Sequence, residues 1–253
     1  MLAPSDMTGK VALVTGAASG LGKATALRLA EVGADLAIVD LEADGLSGTA
    51  KEIKALGRKV LELPLNLMDR DQCKEAVERT VAEMGRLDSV CNIAGVLRCG
   101  ATEDFSDNDW DMVLKVNLEA PFFVMRAAIP HMVDKESTIV NVTSSAGFRE
   151  QAYFAAYCTS KAALTHLTKS LAFEYIKSPL RINAVAPGGM ATPLVSHAAP
   201  AMSLDPDLYG RLGSFKGLCD LSDVTEVVAF LASPASRSFH GACLNVDAGE
   251  IIG

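Results

Sequence analysis

Two rhythms of apolar and polar positions alternate along this chain. Short runs rich in apolar and β-branched residues recur at 10–16 (KVALVTG), 35–40 (DLAIVD), 59–67 (KVLELPLNL), 87–95 (LDSVCNIAG), 137–144 (STIVNVTS), 180–188 (LRINAVAPG) and 242–249 (ACLNVDAG). Between them, at 20–32, 42–56, 69–84, 107–133, 155–177 and 222–232, apolar residues return at the spacing that lines one helical face. Asp69, Asp107 and Ser222 stand where a side-chain oxygen would cap free N–H groups. Apolar strands separated by helices predict a parallel sheet covered on both faces. With right-handed crossovers this is an α/β, doubly wound parallel sheet of about seven strands, in one domain spanning 1–253.

One segment breaks the rhythm. Between 188 and 220 no strand pattern appears, and Pro193, Pro200 and Pro206 interrupt any long helix. It carries Met190, Leu194, Val195, Met202, Leu204, Leu208, Tyr209, Leu212 and Phe215 without a polar partner face. A loop this long in a compact domain is either a surface insertion packing its own cluster or a lid over an apolar substrate.

Composition narrows the classes. At 253 residues and 49% hydrophobic, the chain can bury a sizeable core. A formal charge of -8 speaks against nucleic-acid or anionic-membrane partners, which require a basic surface. The six cysteines are scattered without a CxxC, and the four histidines share no ligand-like spacing, so no metal site is expected. MLAPSDMTGK has no apolar core behind basic residues, and no apolar run reaches the ~20 residues of a membrane helix. A cytoplasmic enzyme or binding protein with a small-molecule ligand is expected.

The first predicted strand runs into TGAASGLG, residues 15–22, and a helix follows at once. Gly16, Gly20 and Gly22 would let the backbone turn tightly and a pyrophosphate approach the helix N-terminus, where free N–H groups favour anions. Asp40 closes the second strand, where a carboxylate can accept both ribose hydroxyls of NAD. It would repel a 2′-phosphate: two like charges about 5 Å apart cost on the order of 3 kcal/mol at an effective dielectric of 20. Ser19 and Leu41 supply no cation to offset this, so NAD is expected over NADP.

YCTSK at 157–161 places a phenol and an ammonium four residues apart, on one helical face. That spacing alone fits equally well two unrelated residues on a helix. In the company of the glycine loop and Asp40, however, the sequence resembles the short-chain dehydrogenase/reductase family over essentially its whole length. The resemblance implies a Rossmann-type fold and a catalytic set of Asn117 (KVNLEAP), Ser144 (NVTSSAG), Tyr157 and Lys161. It implies further that NIAG (92–95) lines the adenosine side of the cofactor and that APGGMAT (186–192) closes around the nicotinamide. Cofactor contacts are thus expected at Gly16, Ser19, Gly20, Leu21, Gly22, Asp40, Leu41, Asn66, Leu67, Asn92, Ala94, Gly95, Tyr157, Lys161, Pro187, Gly188, Met190 and Thr192. Two positions depart from the family's usual pattern: Ile93, often Asn, and Asn66, often Asp.

The chemistry these residues would perform is specific. Lys161 would lower the phenol pKa of Tyr157, which would then take a hydroxyl proton as hydride passes to the nicotinamide. Lys161 would also hold the nicotinamide ribose, and Ser144 would orient the substrate oxygen. By the resemblance Asn117 holds a water linking Lys161 to solvent; a core amide satisfied by backbone groups is the alternative. Substrate contacts are expected at Ser144, Tyr157, Gln151 and Tyr153, the last taken to share the Tyr157 helix face, with Phe148 and Arg149 nearby. Cys158 reads as a small buried thiol. The reading is an NAD-dependent oxidoreductase acting on an apolar secondary alcohol or ketone, hydroxysteroid-like or 3-hydroxyacyl-like. The competitors are a 3-oxoacyl-carrier reductase and a non-catalytic NAD-binding regulator. The resemblance also implies a homo-oligomer, commonly a tetramer built through the helices at 107–133 and 155–177.

Overall fold

A computed structural model describes residues 5–196, 204–209 and 213–252. Seven parallel strands form one sheet in the order β3-β2-β1-β4-β5-β6-β7. They are β1 (Val11–Thr15), β2 (Asp35–Asp40), β3 (Val60–Pro64), β4 (Ser89–Asn92), β5 (Ser137–Val142), β6 (Leu180–Pro187) and β7 (Cys243–Val246). The helices between them are α1 (Gly20–Glu31), α2 (Ala43–Ala55), α3 (Arg70–Met84), α4 (Asp107–Leu114), α5 (Ala120–Met132), α6 (Ala155–Glu174), the short α7 (Pro193–Ser196) and α8 (Pro206–Tyr209), and α9 (Leu221–Ala232). Each predicted strand is present, β2 at its full predicted length and the others trimmed at the ends.

The strands read as apolar throughout because both faces are covered. Ala12, Val14, Leu36 and Ile38 pack toward α1, α2 and α9. Their neighbours Leu13, Ala37 and Val39 pack toward α3, α5 and α6. The chain builds β1, β2 and β3 outward in one direction, then returns to lay β4 on the other side of β1. In such sheets ligands bind beyond the strand C-termini where the order reverses.

Helix starts differ from the expectation in two places. Asp69 caps α3, accepting from the Asp71 N–H, as its position predicts. At α4 the cap is Ser106, which accepts from the Asp109 N–H at 3.0 Å, and Asp107 is already helical. The last long helix begins at Leu221 behind Asp220, so Ser222 lies inside it. The predicted helix over 107–133 is interrupted by a π turn at Lys115–Glu119, which sets Asn117 on a buried face with no exposed surface.

Candidate active site

A cavity of about 720 Å³ opens at the C-terminal ends of the strands, running from Gly16 and Asp40 at one end to Tyr157 and Lys161 at the other. The glycines make its cofactor-like end. Gly16 has φ +72° and a Cβ there would lie 2.8 Å from Ala94 Cα; at Gly22 a Cβ would meet the Gly16 carbonyl oxygen. No other residue fits either position. The carboxylate of Asp40 reaches back under this loop, accepting from Ala18 N–H at 2.9 Å and from Glu42 N–H at 3.1 Å. Thr15 holds the facing turn, its Oγ1 accepting from the N–H groups of Ile93 and Ala94 at 2.9 and 3.1 Å. A cleft with a glycine-bared backbone, the α1 N-terminus at its floor and a carboxylate at its rim fits a dinucleotide in shape and in donor set.

At the other end, β5 delivers Ser144 and α6 delivers Tyr157 and Lys161. Ser144 stands beside the Tyr157 side chain, its Oγ accepting from Ala146 N–H at 3.2 Å, whereas Ser145 turns away and donates to Glu250 Oε1 at 2.9 Å. Lys161 Nζ lies 5.7 Å from the centre of the Tyr157 ring and donates to the Val142 carbonyl at 2.9 Å. Both side chains are buried. Burial pushes the Tyr157 phenol up to about 12; the neighbouring Ser144 hydroxyl opposes this, while Cys158 and Glu250 add to it. Burial likewise pushes Lys161 down to about 8. Burial therefore dominates both groups, disfavouring the phenolate of Tyr157 and the ammonium of Lys161 alike.

Asn117 approaches from the π turn. Its Oδ1 accepts from Val96 N–H at 2.8 Å, and its Nδ2 donates to the Val96 carbonyl at 2.9 Å and to Ser160 Oγ at 3.2 Å. A Cβ on Gly95 would come within 3.4 Å of Asn117 Oδ1 and 3.7 Å of Lys161 Nζ, so the three residues meet at one point. Ser19, Leu21, Pro187, Gly188, Met190 and Thr192 also line the cavity.

Several expected site residues stand outside the cavity wall. Leu41 is 65% exposed beside Asp40, and Leu67 belongs to the core under α3. Asn66 forms the turn before α3, its Oδ1 accepting from Met68 N–H. Asn92 is buried in the sheet and donates to Asn141 Oδ1 at 2.8 Å. Tyr153 precedes α6 and so cannot share its face with Tyr157; it sits at φ +71°, and its hydroxyl accepts from Asp205 N–H at 3.0 Å. Gln151 does line the cavity, but its amide donates to Glu250. Of the apolar residues at 188–220, Leu194 packs beside Tyr157, Leu208 is 43% exposed and Phe215 is 98% exposed. Met202 and Leu212 lie outside the described residues, as do the side chains of Val195 and Tyr209.

Glu250 and Arg98 line the cavity without having been anticipated. No motif surrounds either, and Glu250 comes from the far end of the chain, 105 residues after Ser145. Arg98 is held by Asp109 at 3.1 Å.

Comparison with known proteins agrees with this geometry. The family model for short chain dehydrogenases matches residues 10–202. The chain is 37% identical over 250 residues to the 3-oxoacyl-[acyl-carrier-protein] reductase FabG of Thermotoga maritima, covering 97% of this chain and 99% of that protein. Among solved structures, a short chain dehydrogenase from Mycobacterium paratuberculosis bound to NAD aligns with a TM-score of 0.90 at 30% identity, over 97% of this chain and 99% of that one. One from Burkholderia cenocepacia in complex with NADP aligns at 0.87 and 33%, over 96% and 98%. The protein belongs to the short-chain dehydrogenase family and is an oxidoreductase that works with a nicotinamide dinucleotide.

Proposed function

We propose that this protein uses NAD to interconvert an apolar secondary alcohol and its ketone, in the direction of oxidation. The observation that carries the reading is the convergence of Ser144, Tyr157 and Lys161 at one end of a cavity whose other end is the glycine loop with Asp40. Gly16, Gly20 and Gly22 hold the pyrophosphate, Asp40 takes the ribose hydroxyls and excludes a 2′-phosphate, and the 187–192 segment covers the nicotinamide. The nicotinamide, when bound, supplies the hydride chemistry. Ser144 orients the substrate oxygen. Tyr157 exchanges the proton with that oxygen; the positive nicotinamide of NAD+, when bound, would favour its phenolate against the burial that pushes it up to about 12. Lys161 adds a positive charge from the next turn of α6 and would hold the nicotinamide ribose. Asn117 fixes the Gly95–Val96 turn beside Lys161, where a water can link the ammonium to solvent.

The apolar substrate is argued from Leu97, Phe154 and Leu194 around Tyr157. Residues 188–220 are read as the lid over it, within a single domain. Gln151 and Tyr153 act at its margin. The protein works in the cytoplasm as a homotetramer built through α4, α5 and α6, whose exposed Trp110, Phe122 and Phe173, with Ile176 just past α6, are surfaces that association would cover. A second reading, a 3-oxoacyl-carrier reductase, is favoured by the Thermotoga relative. Absorbance at 340 nm with NAD+ or NADP+, across secondary alcohols from sugars to steroids, tests the proposal. NAD+-dependent turnover of bulky apolar alcohols is expected. Preference for NADP+ overturns the Asp40 argument, and efficient reduction of a 3-oxoacyl thioester with silence toward alcohols favours the second reading.

A further inference from the structure

Glu250 is a buried carboxylate with 3% of its surface exposed, in a short 3₁₀ turn at Glu250–Ile252. Four contacts from three separate wall segments converge on it. Ser145 Oγ donates to Oε1 at 2.9 Å, Gln151 Nε2 to the same oxygen at 3.1 Å, Gly189 N–H to Oε2 at 3.2 Å, and Arg149 Nη1 to its backbone carbonyl at 2.9 Å. At Gly188 a Cβ would lie 2.8 Å from Asp247 Cα and 2.9 Å from Glu250 Oε2, so the Glu250 turn packs directly on the bare backbone there.

The turn that aims Glu250 inward is fixed by several independent contacts. Asp247 accepts from Gly249 N–H at 3.0 Å and Ile251 N–H at 3.1 Å, and Ser214 Oγ donates to the Ala248 carbonyl at 2.7 Å. Ala248 itself sits at φ +50°, a conformation a non-glycine residue keeps only where its surroundings over-determine it.

We propose that Glu250 is a positioning residue: it clamps the Ser144–Ser145 turn to the Gly188–Gly189 loop, so that Ser144 stays on Tyr157 while the nicotinamide side of the wall stays closed. The proposal rests on the dehydrogenase reading for its kinetic consequence, but not for its effect on Tyr157. With Ser145 tied to Glu250, its neighbour Ser144 is left as the serine beside the phenol. The carboxylate also acts on that phenol through space. Tyr157 faces Ser144, Cys158, Lys161 and Glu250; Glu250 in turn faces Tyr157, Cys219 and Arg149, with Asp247 in its own turn. Its negative charge opposes ionisation of Tyr157.

Glu250→Ala and Glu250→Gln separate the two effects. Alanine leaves the Ser145, Gln151 and Gly189 donors without their acceptor. Glutamine spans the same distance, can accept through its oxygen and donate to Ser145 Oγ, and carries no charge. The expected result for Glu250→Ala is a kcat at least about tenfold lower with KM changed much less, since small misplacements of reacting groups cost that order. Glu250→Gln is impaired far less. Both variants should titrate the Tyr157 phenol, read at 295 nm as the difference from Tyr157→Phe, at lower pH than the parent. If Glu250→Ala keeps the parent kcat, the clamp is overturned. If Glu250→Ala does not fold, as judged by circular dichroism, Ser145→Ala decides, since it removes the same bond to Oε1: the parent kcat overturns the clamp, and a lower kcat at little-changed KM supports it. If the parent turns over no alcohol, the dehydrogenase reading fails, and hydrogen exchange at the Gly189 N–H decides the clamp: exchange faster in a Glu250 variant that loses the acceptor supports it, and unchanged exchange overturns it.

Discussion

Below about pH 8 Lys161 carries its charge where burial disfavours it, and this costs the fold; Tyr157 stays a neutral phenol in both folded and unfolded chains until pH passes its ordinary 10. The folded pKa of Lys161, about 8, lies below its ordinary value of 10.5. Between those two values the unfolded chain binds more protons, so stability rises as pH climbs from about 8 to about 10.5, and the full penalty applies below 8. At about 1.4 kcal/mol per pH unit the penalty is about 3 kcal/mol at neutral pH. Lys161→Met is therefore expected to be more stable than the parent by about 1–3 kcal/mol in urea unfolding at pH 7. The gain should shrink toward pH 10.5, while turnover is lost. A parent that outlasts Lys161→Met at pH 7 would show that the Val142 hydrogen bond outweighs desolvation. Tyr157→Phe should lower kcat by about 10²–10⁴-fold, with cofactor affinity by NADH fluorescence close to the parent's.

Helix and loop elements decide what these residues can reach. The glycine loop is a packing device as much as a cofactor cradle: at Gly22 any side chain collides with the Gly16 carbonyl. Gly22→Ala should cost about 3 kcal/mol or more, in the range of severe core overpacking, and should abolish NADH binding by calorimetry; unchanged binding would mean the loop relocates at little cost. The π turn plays a matching part on the far side of the cavity. It rotates Asn117 inward to satisfy both polar groups of Val96. Asn117→Ala leaves those buried groups unpaired, and a loss of about 1–3 kcal/mol in thermal unfolding is expected. Asn117 was legible as a site residue through its surrounding motif, but the π turn was not. An extra residue in a helical turn leaves no trace in apolar periodicity. Helix starts were similarly open, since Ser106 and Asp107 are both competent caps and only backbone geometry chooses between them.

Across the whole molecule, the sheet order brings residues from all parts of the chain to one rim. Asp88, at the opposite end of β4, shows how the frame itself is fastened. Burial raises its pKa, but Arg86 at 2.6 Å and the Val11 N–H at 2.9 Å outweigh that and hold its carboxyl below the usual 3.8. A depressed carboxylate stabilises the fold above its unfolded pKa and loses that contribution as pH falls through the folded one. Acid unfolding of Asp88→Asn should thus be less pH-dependent below about pH 4 than that of the parent, from a lower starting stability. Near the site, Tyr153 ties the 188–220 segment to the start of α6 through Asp205. Tyr153→Phe removes that acceptor and should speed hydrogen exchange at Asp205 without altering the core.

The sequence by itself determined the strands, the two-faced sheet, the glycine turn and the place of Asp40, and its resemblance to a known family implied the Ser144–Tyr157–Lys161 set. The former follow from local rules: burial on both faces removes alternation and glycine alone permits the turn, whereas four-residue spacing aligns Tyr157 and Lys161 on a helix without assigning them a role. Only the tertiary structure decided which serine faces Tyr157, that Tyr153 lies off the helix, and that Asn66 and Asn92 serve a turn and the sheet rather than the cavity wall. It also decided that burial pushes the Tyr157 phenol up to about 12, and that Glu250 reaches the site from the far end of the chain. Burial, desolvation and contacts across more than a hundred residues depend on how separate elements meet, and no local pattern encodes that meeting.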